Sequence, residues 1–228
     1  MLRFLSTFLA CTLFAAHANA LDVNDLTNAE TSKGLKAALI QGAEKAVGQL
    51  SKTDGYLGND EVKIPLPDVL KKTEKAMRML GMGKQADELV VKMNRAAEAA
   101  VPEAKALLVD SVKKMTVADA KGILTGGDDA ATQYFKKTTS APMAAKFLPI
   151  VKKATENVQL AQQYNNFAET GAKFGLVKKE QVNLEQYVTQ KALDGVYLMM
   201  AKEEAAIRKD PVGQGSALLK KVFGALGN

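Results

Sequence analysis

Apolar residues recur at three- and four-residue spacing along almost the whole chain, and strict apolar/polar alternation is nearly absent, so the pattern predicts helices throughout. Leu35, Ala38, Leu39, Ala43, Ala46, Val47 and Leu50 make a stripe. Thr27 with Glu30 three residues later is a capping box that starts it, and Thr116 with Asp119 repeats the arrangement ahead of Ile123 and Leu124. Both threonines read as caps, not reactive groups. A second helix is expected from near Pro67, carrying Val69, Leu70, Met77 and Leu80 and stopping at Gly81, where glycine accepts a left-handed cap. Lys84 to Ala100 follows, then Pro102 as a break or first-turn proline and a helix to about Met115. Short helices are expected at 117 to 124, 129 to 138 and 142 to 157. The longest uninterrupted pattern is Leu184 to Arg208, ended by Asp210-Pro211. Beyond Gly213 and Gly215, Leu218, Leu219, Val222 and Phe223 make the apolar face of a last helix, expected to dock on the body.

The fold expected is therefore all-α, a compact domain of about eight or nine helices with one irregular loop near 52–66. That loop, TDGYLGNDEVKIPLP, is rich in glycine, proline and acid. Tyr56, Leu57, Val62, Ile64 and Leu66 make it too apolar for a free linker, so it is expected to be ordered.

The first twenty residues break the helical pattern in a different way. Arg3 supplies a positive start, Phe4 to Ala16 an apolar run and Ala18-Asn19-Ala20 a small-x-small cleavage site, the layout of an export signal. The run is too short to span a bilayer, which takes about 20 apolar residues. Cleavage after Ala20 leaves residues 21–228 as a single helical domain, expected in the periplasm; Cys11 offers the alternative of a lipid anchor, although Phe8 and Leu9 fit a lipoprotein box poorly. Cleavage also removes the sole cysteine, Cys11, and the sole histidine, His17. The mature chain then has no disulfide, no cysteine nucleophile, no imidazole acid/base group and no zinc, copper or haem site that needs either residue.

The mature chain carries 30 basic against 25 acidic residues. The surplus sits at 136–180, where Lys136, Lys137, Lys146, Lys152, Lys153, Lys173, Lys178 and Lys179 face Glu156, Glu169 and Glu180. Clustered lysines attract anionic lipid or another envelope polyanion. The segment has no arginine and few aromatics, so nucleic acid is not an expected partner and a solvated helical face explains it as well.

Five ordered blocks, DGYLGNDEVKIPLPDVL, MNRAAEAAVPEA, MTVADAKGILTGGDDAATQYF, YVTQKALDGVYLMMAKEEAAIRKDP and LLKKVFG, resemble the bacterial domain of unknown function 4197 from about Thr27 to Gly224. The resemblance implies an exported, mainly helical protein of Gram-negative bacteria and assigns no activity. Where it leads one to expect an arginine and a threonine, this chain has Gln214 and Gly215, so no arginine-based role is implied at that turn.

Candidate chemistry lies in paired polar residues at helical spacing. Asn94, Arg95 and Glu98, Lys191 with Asp194, and Glu204 with Arg208 each share one side of a helix. If those faces meet, they form a polar cluster with Asp119, Asp129, Thr132 and Tyr134 that either orients a ligand or fixes helix register as a salt-bridge network around a largely buried Arg95. In the loop, Asp54, Tyr56, Asn59 and Asp60 invite a calcium reading, but the order of residues lacks the alternating ligands of an EF-hand, and a glycine-and-asparagine turn explains it. Met77, Met79 and Met82 read as core packing rather than Cu(I) thioethers. Ser111-x-x-Lys114 lacks its companion motifs, and no phosphate-binding loop is present. The function expected is a non-catalytic periplasmic binding or envelope-interaction module, without a metal or cofactor. The alternatives are a hydrolase working through Glu98, Asp119, Asp129, Glu203 or Glu204, with or without a divalent cation, and peripheral membrane association through 136–180.

Overall fold

A computed structural model describes residues 28–81, 83–165 and 183–210, so the export signal, the Thr27 cap and the last apolar helix lie outside the described residues. Among those described, seven helices are delimited and no strand occurs: α1 (Asn28–Leu50), α2 (Asp68–Met79), α3 (Gly83–Ala100), α4 (Pro102–Lys114), α5 (Val117–Thr125), α6 (Ala130–Thr155) and α7 (Leu184–Lys209). A further helical stretch covers 159–165. No described helix is long and apolar enough to cross a membrane.

The α1 stripe read from the sequence is buried in full, with Leu35, Ala46 and Leu50 wholly inaccessible. Gly81 ends the α2 region in the left-handed conformation, at φ +78°, where a Cβ would add strain. Leu80 departs from expectation and is 78% exposed, as is Met79 at 77%. Both stand at the end of α2, so Met79 is no core residue; the Met77 side chain and Met82 lie outside the described residues. Pro102 opens α4, where its missing N–H costs nothing. Thr116 and Asp119 form the expected reciprocal capping box on α5.

The largest correction concerns α6. Two short helices were expected at 129–138 and 142–157, and the structure has one of 26 residues with Pro142 and Pro149 inside it. Its buried residues explain how two prolines are tolerated. Phe135, Thr139, Met143, Phe147, Val151 and Thr155 follow one another at intervals of four. At 3.6 residues per turn each step turns the buried face by about 40°, or about 200° over the run. The inward face thus winds around the helix, and α6 packs against α3, α4, α5 and α7. Burial on every turn offsets the cost of the prolines, about 3 kcal/mol each. Among the described residues the merger of these two segments leaves seven delimited helices where eight or nine were expected.

Buried apolar side chains from all seven helices and from the loop join in one cluster. Val62, Ile64 and Leu66 point inward while Lys63 and Pro65 point out, a two-residue alternation proper to extended chain. The loop is thus ordered, as its composition predicts.

Candidate functional site

The loop lacks a strand to pair with, and side chains of α3 and α7 take that role. Asn94, wholly buried, behaves as a neighbouring peptide would: its Oδ1 accepts from Ile64 N at 2.8 Å and its Nδ2 donates to Ile64 O at 2.9 Å. One turn on, the buried Glu98 carboxylate accepts from the Tyr56 and Leu57 backbone N–H groups at 3.0 and 3.1 Å and from Arg95 at 2.6 Å. Arg95 also pairs with Asp54 at 2.8 Å. Asp54 sits at φ +66°, a left-handed conformation that aspartate tolerates better than most residues. Asn59 accepts from Glu61 N at 3.1 Å, an Asx turn.

From α7, Tyr187 donates to Pro65 O at 3.1 Å, and Lys202 pairs with Glu61. Tyr56, wholly buried, crosses to α7 and donates to Ala192 O at 2.6 Å. Its ring lies against Gly195, where a Cβ would stand 2.6 Å from Tyr56 Cε1, so only glycine admits this approach. Burial, then the Asp194 and Glu98 charges, push the Tyr56 phenol well above its usual range.

The polar residues singled out in the sequence do not gather in one place. Asn94, Arg95 and Glu98 meet the loop residues Asp54 and Tyr56. Glu204, Arg208 and Thr132 meet elsewhere: Glu204 accepts from Ala131 N, Thr132 N and Thr132 Oγ1, each at 2.9 Å, and pairs with Arg208, also at 2.9 Å. Arg208 donates in turn to Ile123 O near the end of α5 at 2.9 Å. Asp119 is occupied by its capping box, which holds its carboxyl below the usual range through bonds from Thr116. Asp129 is exposed and accepts from Gln133 at 2.7 Å. Tyr134 donates to Ser111 O at 3.1 Å, while Asp194 accepts from Gln190 at 2.9 Å and lies 3.8 Å from Lys191. Arg95 itself is 37% exposed rather than largely buried. Its aliphatic stem rises from the packed face of α3 and its head reaches out to Asp54, as long cationic side chains do.

An open groove of about 590 Å³ lies between the loop, α2 and α3. Leu57, Pro65, Leu66, Ala86, Val90 and Val91 make its floor, and Asp60, Lys63, Lys71, Glu74, Arg78 and Asp87 its rim. Of these only Asp60 was read from the sequence as a site candidate. The rest come from three separate segments, and no periodicity within one segment shows that they line a common space. On the rim Arg78 is held by Glu74 at 2.8 Å and Asp87 at 2.6 Å, which raises the Arg78 pKa and lowers that of Asp87. Among the described residues no group of three or more His, Cys, Asp or Glu is placed to hold a metal ion.

Taken together, the described chain is a helical protein whose buried charges cap helices and staple an extended loop. It belongs to the family described as protein of unknown function (DUF4197), whose model matches residues 25–224. No curated protein matches the chain, and no solved structure does.

Proposed function

We propose that this protein is an exported, non-catalytic binding module of the periplasm and that the groove between the loop, α2 and α3 is its binding site. The observation that carries this reading is the groove's combination of an apolar floor, a charged rim and a volume within the range of about 300–1,000 Å³ common to ligand sites. The export signal read at residues 1–20 supports the location.

Four of the five carboxylates named for a hydrolase point the same way, while Asp129 is exposed and accepts from Gln133. Glu98 and Glu204 are saturated by N–H donors, Glu203 pairs with Lys45 at 2.6 Å, and Asp119 caps a helix. A general acid or base needs a lone pair or proton free to reach the substrate. Membrane association through the basic segment has less support among the described residues, because the winding of α6 fans its exposed lysines, from Lys136 to Lys153, around the helix; Lys173, Lys178 and Lys179 lie outside the described residues. A flat anionic surface engages only some of them at once.

Native mass spectrometry of protein purified from its own envelope tests the proposal. We expect a retained small molecule on the parent that is lost from the Val91→Asp variant, whose substitution falls on the 39% exposed wall of the groove. Identical spectra for the two, with no adduct on either, would refute the groove as a binding site.

A further inference from the structure

We infer that the groove takes a single-chain fatty carboxylate, its alkyl tail along the apolar floor and its carboxylate beside Lys63 and Lys71. This rests on the reading of the groove as the binding site and adds the chemistry of its occupant. The apolar lining comes from two sides, Leu57, Pro65 and Leu66 from the loop and Ala86, Val90 and Val91 from α3, and none of them brings a side-chain hydrogen-bonding group to the space. Such a lining rewards methylene groups and leaves a polar chain unsatisfied.

The rim decides the head group. Among the described residues its three acids and three bases sum to zero. Selection is local and depends on which groups are free. Arg78 is engaged by both Glu74 and Asp87. Among the described residues Lys63 and Lys71 have no ion pair, and the only rim acid in the same position is Asp60. Two free ammonium groups against one free carboxylate favour a monoanion over a cation. Lysine ammonium groups meet a carboxylate or a phosphate as point charges, and the single surplus positive charge matches the one negative charge of a carboxylate better than the higher charge of a phosphate monoester.

Calorimetric titration of the mature chain with dodecanoate tests the inference, with dodecyltrimethylammonium as the same tail bearing the opposite charge and N-phenyl-1-naphthylamine as an uncharged apolar probe. Dodecanoate is expected to bind saturably, and to tighten relative to decanoate by up to about fourfold per added methylene while the tail still finds floor to cover. The paired Lys63→Glu and Lys71→Glu substitutions, both on exposed side chains, are expected to weaken dodecanoate at least tenfold and leave the helical spectrum intact. Equal binding of the cationic amphiphile, or dodecanoate binding indifferent to the two charge reversals, overturns the head-group assignment. If the naphthylamine binds and is lost in Val91→Asp while dodecanoate does not bind, the fatty carboxylate is wrong and the groove stands as a site for another ligand. If no probe binds in a way that Val91→Asp abolishes, the groove reading falls with it.

Discussion

Glu98 shows how much one side chain can hold. Its carboxylate, on the packed face of α3, satisfies two backbone N–H groups of the loop and one arginine. Removing it strands two buried donors and leaves Arg95 with Asp54 alone. Glu98→Ala is expected to lower stability by about 2–4 kcal/mol, the range for two stranded backbone donors, and to free the loop. Asp54→Asn keeps a residue that tolerates the left-handed φ, removes only the outer, solvent-facing ion pair of the same arrangement and is expected to cost about 1 kcal/mol or less. Chemical melts of the two variants check this, and equal losses would mean that the loop is held by its apolar residues and not by Glu98. That these residues pair is legible in the i, i+3 spacing of Arg95 and Glu98. That their other partners lie about forty positions earlier in the chain is not, because spacing along a helix says nothing of what the helix faces.

The N-terminus of α6 shows the same thing between elements. Asp129 stands at the capping position by sequence, yet its side chain makes no cap bond. The first free N–H groups of α6 are bound instead by Glu204 of α7, and the Arg208 paired with it reaches a carbonyl near the end of α5. A carboxylate at a helix start also meets the positive end of the helix dipole. One ion pair therefore fixes three helices to one another. Glu204→Ala is expected to cost about 3–5 kcal/mol, whereas Asp129→Ala is expected to stay within about 0.5 kcal/mol of the parent. Thermal melts of both variants decide it; a larger loss for Asp129→Ala would return the cap to the local residue. Local capping chemistry is readable where a helix caps itself, as Thr116 and Asp119 do. A cap delivered from more than seventy residues away leaves no local trace.

Across the molecule the loop is bound into the core by phenols, and this sets its behaviour in alkali. Burial, then the nearby Asp68 charge, push Tyr164 and Tyr187 up to about 12, and Tyr56 is raised further still. An unfolded tyrosine titrates near pH 10, so above that pH the unfolded chain binds fewer protons than the folded one and stability falls. The stability these phenols contribute is complete below about pH 10 and is lost as the pH rises through about 12. Tyr56→Phe removes one of them together with its bond to Ala192 O, a loss of about 0.5–1.5 kcal/mol near neutrality. The gap between parent and variant should shrink as the pH rises from 8 towards 12, measured by denaturant melts at each pH; a constant gap would show that Tyr56 does not titrate on unfolding. The sequence by itself determined that the chain is helical, where most helices begin and end, and that the loop is ordered, because spacing, caps and proline act over a few residues. It also carried the family resemblance. Tertiary structure alone decided that α6 is one helix, since a buried residue on every turn offsets two prolines. It alone split the expected polar cluster into a loop staple and a helix clamp. The groove is likewise a tertiary product, because its floor and rim are shared by segments that only packing brings together.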